Sequence, residues 1–468
     1  MAETLYDFGM IGLGVMGSNL LLNMADHGFK VVGFDLNKEK TAEFEASAKE
    51  GNIVKGVNTL QEMVSCLSKP RKFMMLVPAG KPVDDVLNHL MPLLEAGDII
   101  IDGGNSHYTD TLRRIDFVKG KQFHFMGVGI SGGEEGARTG PSIMPGGDAA
   151  AYKEVEKILK SVAAKVDNNP CVAYLGKGAA GHYVKMVHNG IEYAIMQLIS
   201  ECYDILHNGL GLDNDALHKT FAEWNQKEMK SFLLEITSEI FIKNDDAGSG
   251  RLIDKVLDKA GAKGTGKWTS QEGLDLPIPI PTIDMAVMVR NLSALKDQRL
   301  QASKIYGDGI QKIDTDQLFV NEIFDALYFS IVICYAQGLS MLAQASKELS
   351  MDIPIPEVIR VWSAGCIIRS GLLPVFGKAF IEMPELPNIL LNGEIASLLH
   401  SKLEGMRHTT AAGILHDYPV NGLAASLNYF NTYRRATLPV NLIQAQRDFF
   451  GAHTYQRNDK EGIFHSEW

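Results

Sequence analysis

In the stretch KMVHNGIEY, Lys185, His188, Asn189 and Glu192 follow one another at i, i+3, i+4 and i+7. That spacing puts all four on one stripe of an α-helix. A lysine and a glutamate on one stripe are a base and an acid in waiting. If an apolar cleft covers the stripe, desolvation favours the neutral amine and the neutral carboxylic acid, the forms that accept and donate protons. Read alone, the same four residues also describe a solvated helix face, because charged side chains are seldom buried.

A second motif opens the chain. GMIGLGVMGSNL sets Gly12, Gly14 and Gly17 in a G-x-G-x-x-G, with Leu13, Val15 and Met16 between them, directly after an apolar run. The first glycine permits a tight turn, the second lets the backbone approach a pyrophosphate, and the third lets helix and strand pack closely. Asp35 ends the next apolar run at about the 20-residue interval expected of a dinucleotide fold. An acid at that strand end accepts hydrogen bonds from the adenosine ribose and repels a 2′-phosphate, which favours NAD over NADP. In DLNKEK, however, Lys38 and Lys40 lie close enough in sequence to reach a 2′-phosphate.

The elements that position these motifs follow from patterning. YDFGMIG, FKVVGFD, RKFMMLV, GDIIIDGG, FHFMGVGI and CVAYLG read as buried strands separated by helix-length segments, the pattern of a parallel, doubly wound sheet. From about Gly181 the strand signals give way to long periodic apolar segments. The expected architecture is an α/β Rossmann-type domain over residues 1–180, an all-α domain over 181–435 and a short carboxy-terminal tail over 436–468. Two long helical segments are each followed by a shorter one bearing a tryptophan, DALHKTFAEWN and PEVIRVWSAG, which hints at an internal duplication.

Bulk properties narrow the function classes. A chain of 468 residues exceeds one hydrophobic core. Its 46% hydrophobic and 22% charged residues are ordinary for a globular protein. A formal net charge of -11 argues against a general nucleic-acid surface, so any anionic ligand needs a local basic pocket. Cys66, Cys171, Cys202, Cys334 and Cys366 form no C-x-x-C pair, so no metal site or disulfide framework is expected, and a reducing, cytoplasmic compartment fits. No leader and no segment approaching a membrane span is expected.

The motifs IIDGGNS, GVGISGGEEGARTGPSIMPGG, GHYVKMVHNGIEY, KGTGKWTSQ, LKDQR, GCIIRS and LIQAQRDFFGAHTY resemble those of decarboxylating 6-phosphogluconate dehydrogenases over nearly the whole chain. The resemblance implies oxidation of the 3-hydroxyl of 6-phosphogluconate with NADP or NAD, loss of CO₂ and protonation to ribulose 5-phosphate, a step of the pentose phosphate pathway. By the same resemblance Lys185 is the base and Glu192 the acid. Asn105, Ser131, Gly132, Gly133, His188 and Asn189 would hold the carboxylate and hydroxyls. Tyr193, Lys263, Thr265 and Arg290 would hold the phosphate, together with Arg447 and His453 from the tail of the other subunit of a homodimer with shared active sites. Besides the turn residues from Gly12 to Gly17, the cofactor would meet Asp35, Leu36, Asn37, Val77, Pro78, Ala79 and Asn105.

The sequence departs from the family at the cofactor. Asp35, Leu36 and Asn37 stand where the family usually has Asn-Arg-Thr or Asn-Arg-Ser, whose arginine grips the 2′-phosphate, and Pro78 replaces a lysine. Two other functions fit the nucleotide motif: an NAD-dependent β-hydroxyacid dehydrogenase acting on another substrate, and a non-enzymatic dinucleotide-binding sensor. Lys263, Arg290 and Arg447 argue against the first. The joint presence of Lys185 and Glu192 argues against the second.

Overall fold

A computed structural model describes residues 5–314 and 318–468. Residues 1–4, part of the stretch read above for a leader, lie outside the described residues. Seven strands, β1 (Phe8–Ile11), β2 (Val31–Phe34), β3 (Val54–Val57), β4 (Lys72–Met75), β5 (Ile99–Asp102), β6 (His124–Ser131) and β7 (Ser142–Gly146), form one sheet in the order β3-β2-β1-β4-β5-β6-β7. Every residue of β1, β2 and β5 is buried, because helices cover both faces, and this is why the runs VVGF and IIID lack a polar alternation.

Three details differ from the sequence reading. VKGV forms β3, although a lysine and a glycine in four residues hide its strand character. SIMPG forms β7, which pairs antiparallel to β6 and so breaks the all-parallel expectation. Pro145 is tolerated there because β7 is the edge of the sheet. CVAYLG makes only a single bridge between Val172 and Ile143. The Ile143 amide donates to the Cys171 carbonyl and the Leu175 amide to the Pro145 carbonyl, and the carbonyls of Pro170 and Val172 accept from the Arg360 guanidinium, so a few backbone bonds and one side chain fix this segment.

The chain runs from β1 to β2 and β3 on one side, then crosses back to β4 on the other. The crevice at this reversal, beyond the carboxyl ends of β1 and β4, is where open α/β sheets bind nucleotides.

The helical part is built on two long helices packed against each other, Ala180–Asp204 and Val320–Glu348. Contrary to the expectation that no segment approaches a membrane span, Val320–Glu348 is long and apolar enough to cross one. Yet 89% of its most apolar window is buried within the protein: neighbouring helices enclose it, and a helix covered all round is apolar all round. The long helices lead into short ones, Asn214–Trp224 and Ile355–Val361, that bring Trp224 and Trp362 into the core.

After the helix Asn421–Tyr433 the chain extends into a tail whose helix, Asn441–Gly451, leaves Leu442, Phe449 and Phe450 exposed. Among the described residues the tail's side-chain hydrogen bonds stay within the tail. They centre on buried Asp448, which accepts from the Thr454 and Ser466 amides and the Trp468 indole.

Candidate active site

The helix Ala180–Asp204 lies directly on the sheet because β6 carries Gly129. A Cβ at that position would sit 3.0 Å from both the Gly181 carbonyl oxygen and Lys185 Cγ. This close approach sets the lysine stem against the end of β6. Lys185 is buried, and its Nζ lies 3.5 Å from His188 Nδ1. The imidazole is fixed from several sides: Nδ1 lies 3.2 Å from Asn189 Oδ1 and 3.7 Å from Glu192 Oε2, Nε2 lies 3.3 Å from Ser131 Oγ, and Trp362 meets the ring edge-on at 5.7 Å. The predicted stripe is therefore a connected row of polar groups within the protein rather than a solvated face.

Burial sets its protonation. Desolvation lowers the Lys185 pKa from the ordinary lysine value, against the opposing pull of Glu192 and Cys366. Desolvation raises the Glu192 pKa above the usual carboxylate range, opposed by Lys185 and Arg290. Burial, and then the Lys185 charge, hold His188 well below the ordinary histidine value, so it is neutral. A lysine drawn towards the amine and a glutamate drawn towards the acid, on one helix face, can accept and return protons on a ligand lying along it.

The basic pocket that an acidic chain requires lies at the Glu192 end. The Arg290 guanidinium stacks on the Tyr193 ring at 3.5 Å, and its Nη1 donates to the Gly261 carbonyl at 3.0 Å. The Lys263 amide donates to Tyr193 Oη at 3.4 Å. Thr265 begins the helix Thr265–Asp275, which is tied to the lysine-bearing helix by a 2.9 Å hydrogen bond from Thr269 Oγ1 to the Met186 carbonyl. Tyr193, Lys263, Thr265 and Arg290 thus gather in one neighbourhood.

At the nucleotide end, Gly12 has φ +96°, and a Cβ there would meet the Leu76 carbonyl oxygen at 2.5 Å. Gly14 faces open space, with nothing within 4 Å of a Cβ position, and it caps the helix Val15–Asp26 without a side-chain hydrogen bond. The first turn of that helix carries no acid. Uncapped amides above an open glycine suit a pyrophosphate, so the turn fits a dinucleotide. Asp35 Oδ2 accepts from the Leu13 amide at 2.8 Å and Oδ1 from the Asn37 amide at 2.9 Å, which locks the glycine turn to the end of β2. Val77, Pro78 and Ala79 follow β4, exposed Asn105 follows β5, Ser131 ends β6, and Gly132 and Gly133 lead from it into the helix Gly133–Thr139, all at the carboxyl edge of the sheet.

Arg447 and His453 are exposed on the tail and join none of these groups within the chain. The sequence reading missed Arg114, which is wholly buried. Its guanidinium donates to the Gly80 carbonyl at 3.0 Å, Asp84 Oδ1 at 2.8 Å, Ser106 Oγ at 3.3 Å and Asp102 Oδ2 at 3.4 Å. It clamps the loop after β4 to the loop after β5, holding Pro78 and Asn105 in register. In TLRRID it looks like one of two surface arginines, and no local signal separates it from its neighbour.

Residues 7–176 match the family model described as the NAD binding domain of 6-phosphogluconate dehydrogenase, and residues 181–468 match that of its C-terminal domain. A decarboxylating 6-phosphogluconate dehydrogenase of Synechocystis sp. is 50% identical, covering 98% of this chain and 97% of the relative. An NADP(+)-dependent, decarboxylating one of Bacillus subtilis is 46% identical over 98% of each. The solved structure of the Plasmodium falciparum 6-phosphogluconate dehydrogenase, studied apo, with NADP+ and with 6-phosphogluconate, superposes with a TM-score of 0.95 at 43% identity, covering 99% of this chain and all of that one. The chain belongs to the decarboxylating 6-phosphogluconate dehydrogenase family.

Proposed function

We propose that the chain oxidises and decarboxylates 6-phosphogluconate to ribulose 5-phosphate and CO₂ in the pentose phosphate pathway. The observation that carries this reading is the row from buried Lys185 to half-buried Glu192, with its lysine pKa lowered and its glutamate pKa raised. A bound nicotinamide dinucleotide, held by the glycine turn, Asp35 and the Val77–Ala79 loop, supplies the hydride acceptor. Neutral Lys185 takes the proton of the substrate's 3-hydroxyl. As an ammonium it then faces the C3 oxygen and stabilises the negative charge that builds there as the carboxylate leaves. Glu192 returns a proton to the carbon that bore the carboxylate, C2 of the substrate and C1 of ribulose 5-phosphate. His188, Asn189, Asn105 and Ser131 orient the carboxylate and hydroxyls, with Gly132 and Gly133 letting backbone amides approach. Arg290, Lys263, Thr265 and Tyr193 hold the phosphate, for which guanidinium geometry is suited.

The same reading makes the enzyme a cytoplasmic homodimer, with domains over 1–180 and 181–435 and a tail over 436–468. Arg447 of the partner subunit and His453 of the partner subunit complete each phosphate site. The inward-closed bonding of the tail and its exposed apolar residues support this.

The test is CO₂ release and reduced-cofactor absorbance on addition of 6-phosphogluconate, beside an unphosphorylated β-hydroxyacid. Turnover of the phosphorylated acid alone supports the proposal. Preference for the other acid would make it a β-hydroxyacid dehydrogenase, and cofactor binding without turnover would make it a sensor.

A further inference from the structure

We infer that this chain selects NAD over NADP, through the end of β2, in contrast to its NADP(+)-dependent Bacillus subtilis relative. The inference rests on the proposed dehydrogenase reading and deepens it at the cofactor. Both oxygens of Asp35 accept a backbone amide, from Leu13 and Asn37, so the carboxylate is fixed at the strand end that receives the adenosine ribose. Among the described residues it enters no ion pair.

Few groups at this strand end are fixed to receive a 2′-phosphate. Leu36 is 92% exposed and brings no cation. The Asn37 amide is taken by Asp35, and the Glu39 amide by the Asn37 side chain. Lys38 and Lys40 are exposed on the first turn of the helix Lys38–Ala46, beside acidic Glu39, and among the described residues no ion pair or side-chain hydrogen bond fixes either ammonium. Pro78, in the loop after β4, adds no charge. A fixed carboxylate suits the ribose hydroxyls of NAD, while a 2′-phosphate would meet like charge.

The experiment is a fluorescence titration of the full-length protein with NADH and NADPH. It is paired with kcat/KM for NAD and NADP on 6-phosphogluconate, for the parent, Leu36→Arg, and Asp35→Asn combined with Leu36→Arg. The parent should bind NADH at least tenfold more tightly than NADPH, a difference of about 1.4 kcal/mol. The double variant should erase at least tenfold of that ratio. Leu36→Arg, altering only an exposed side chain, keeps the test open if the double variant fails to fold, and it should narrow the ratio by itself. A parent gap below tenfold, or a gap unmoved in the folded variants, overturns the inference. A clear NADH preference with no turnover of 6-phosphogluconate leaves the inference standing and removes the proposed function.

Discussion

Replacing Gly190 with alanine would place a methyl group 2.6 Å from Thr269 Cγ2 and 2.9 Å from Thr269 Oγ1. Carbon atoms rest at about 3.5–4.0 Å, so one side must retreat by roughly 1 Å. Thr269 is fully buried, β-branched and held by its hydrogen bonds to the Met186 and Thr265 carbonyls, so it cannot swing aside. The helix Thr265–Asp275 must move away from the helix that carries Lys185, taking Thr265 and the Lys263 loop with it. Overpacking of this kind costs about 1–3 kcal/mol. Alanine's better helix propensity offsets about 1 kcal/mol, which leaves a net loss of roughly 0–2 kcal/mol. The kinetic effect should be larger, because a 1 Å displacement of positioning groups costs about 10²-fold. The assay is kcat/KM for 6-phosphogluconate with thermal unfolding alongside, and Gly393→Ala as control, since a Cβ there meets nothing within 4 Å. Adding Thr269→Ser removes the clashing methyl group, keeps the hydroxyl, and should restore part of the activity. Retention of kcat/KM within threefold by Gly190→Ala, or no recovery with Thr269→Ser, would refute the packing argument.

Lys185→Met should abolish oxidation without unfolding the protein; activity within about tenfold of the parent would exclude it as the base, since positioned acid–base catalysis is worth about 10²–10⁴. Glu192→Gln should slow the later proton transfer more than it weakens binding. Because the parent needs a protonated Glu192, whose pKa is raised, and a neutral Lys185, whose pKa is lowered, its rate should fall towards both extremes of pH. The glutamine variant should lose only the fall on the alkaline side, and an unchanged profile would remove Glu192 from the acid role. Arg447→Ala should raise KM for 6-phosphogluconate far more than KM for the cofactor. Mixed dimers of Arg447→Ala and Lys185→Met subunits should regain some activity, and no recovery after proven subunit exchange would argue against a shared site.

The candidate residues for the proposed chemistry were legible in the sequence because they sit in local runs. G-x-G-x-x-G after an apolar strand, Asp35 about twenty residues on, and the i, i+3, i+4, i+7 stripe each obey a periodicity that the backbone imposes. The long apolar segments announced helices, but the expectation that none approaches a membrane span passed over Val320–Glu348, because periodicity records that a helix is covered and not by what. Tertiary structure alone decided the rest. Whether Lys185 and Glu192 were a solvated face or a row within the protein depended on Gly129 letting the helix rest on β6, a contact between positions more than 50 residues apart. The antiparallel turn of β7 and the reduction of CVAYLG to a single bridge depended on which edge was free and on Arg360 reaching it. Arg114, an ordinary surface residue by pattern, became the clamp between two site loops because partners from four separate positions converge on its guanidinium. Local sequence dictates which groups a helix or turn presents, whereas burial, and with it the protonation that makes a lysine a base, depends on surfaces brought together from far along the chain.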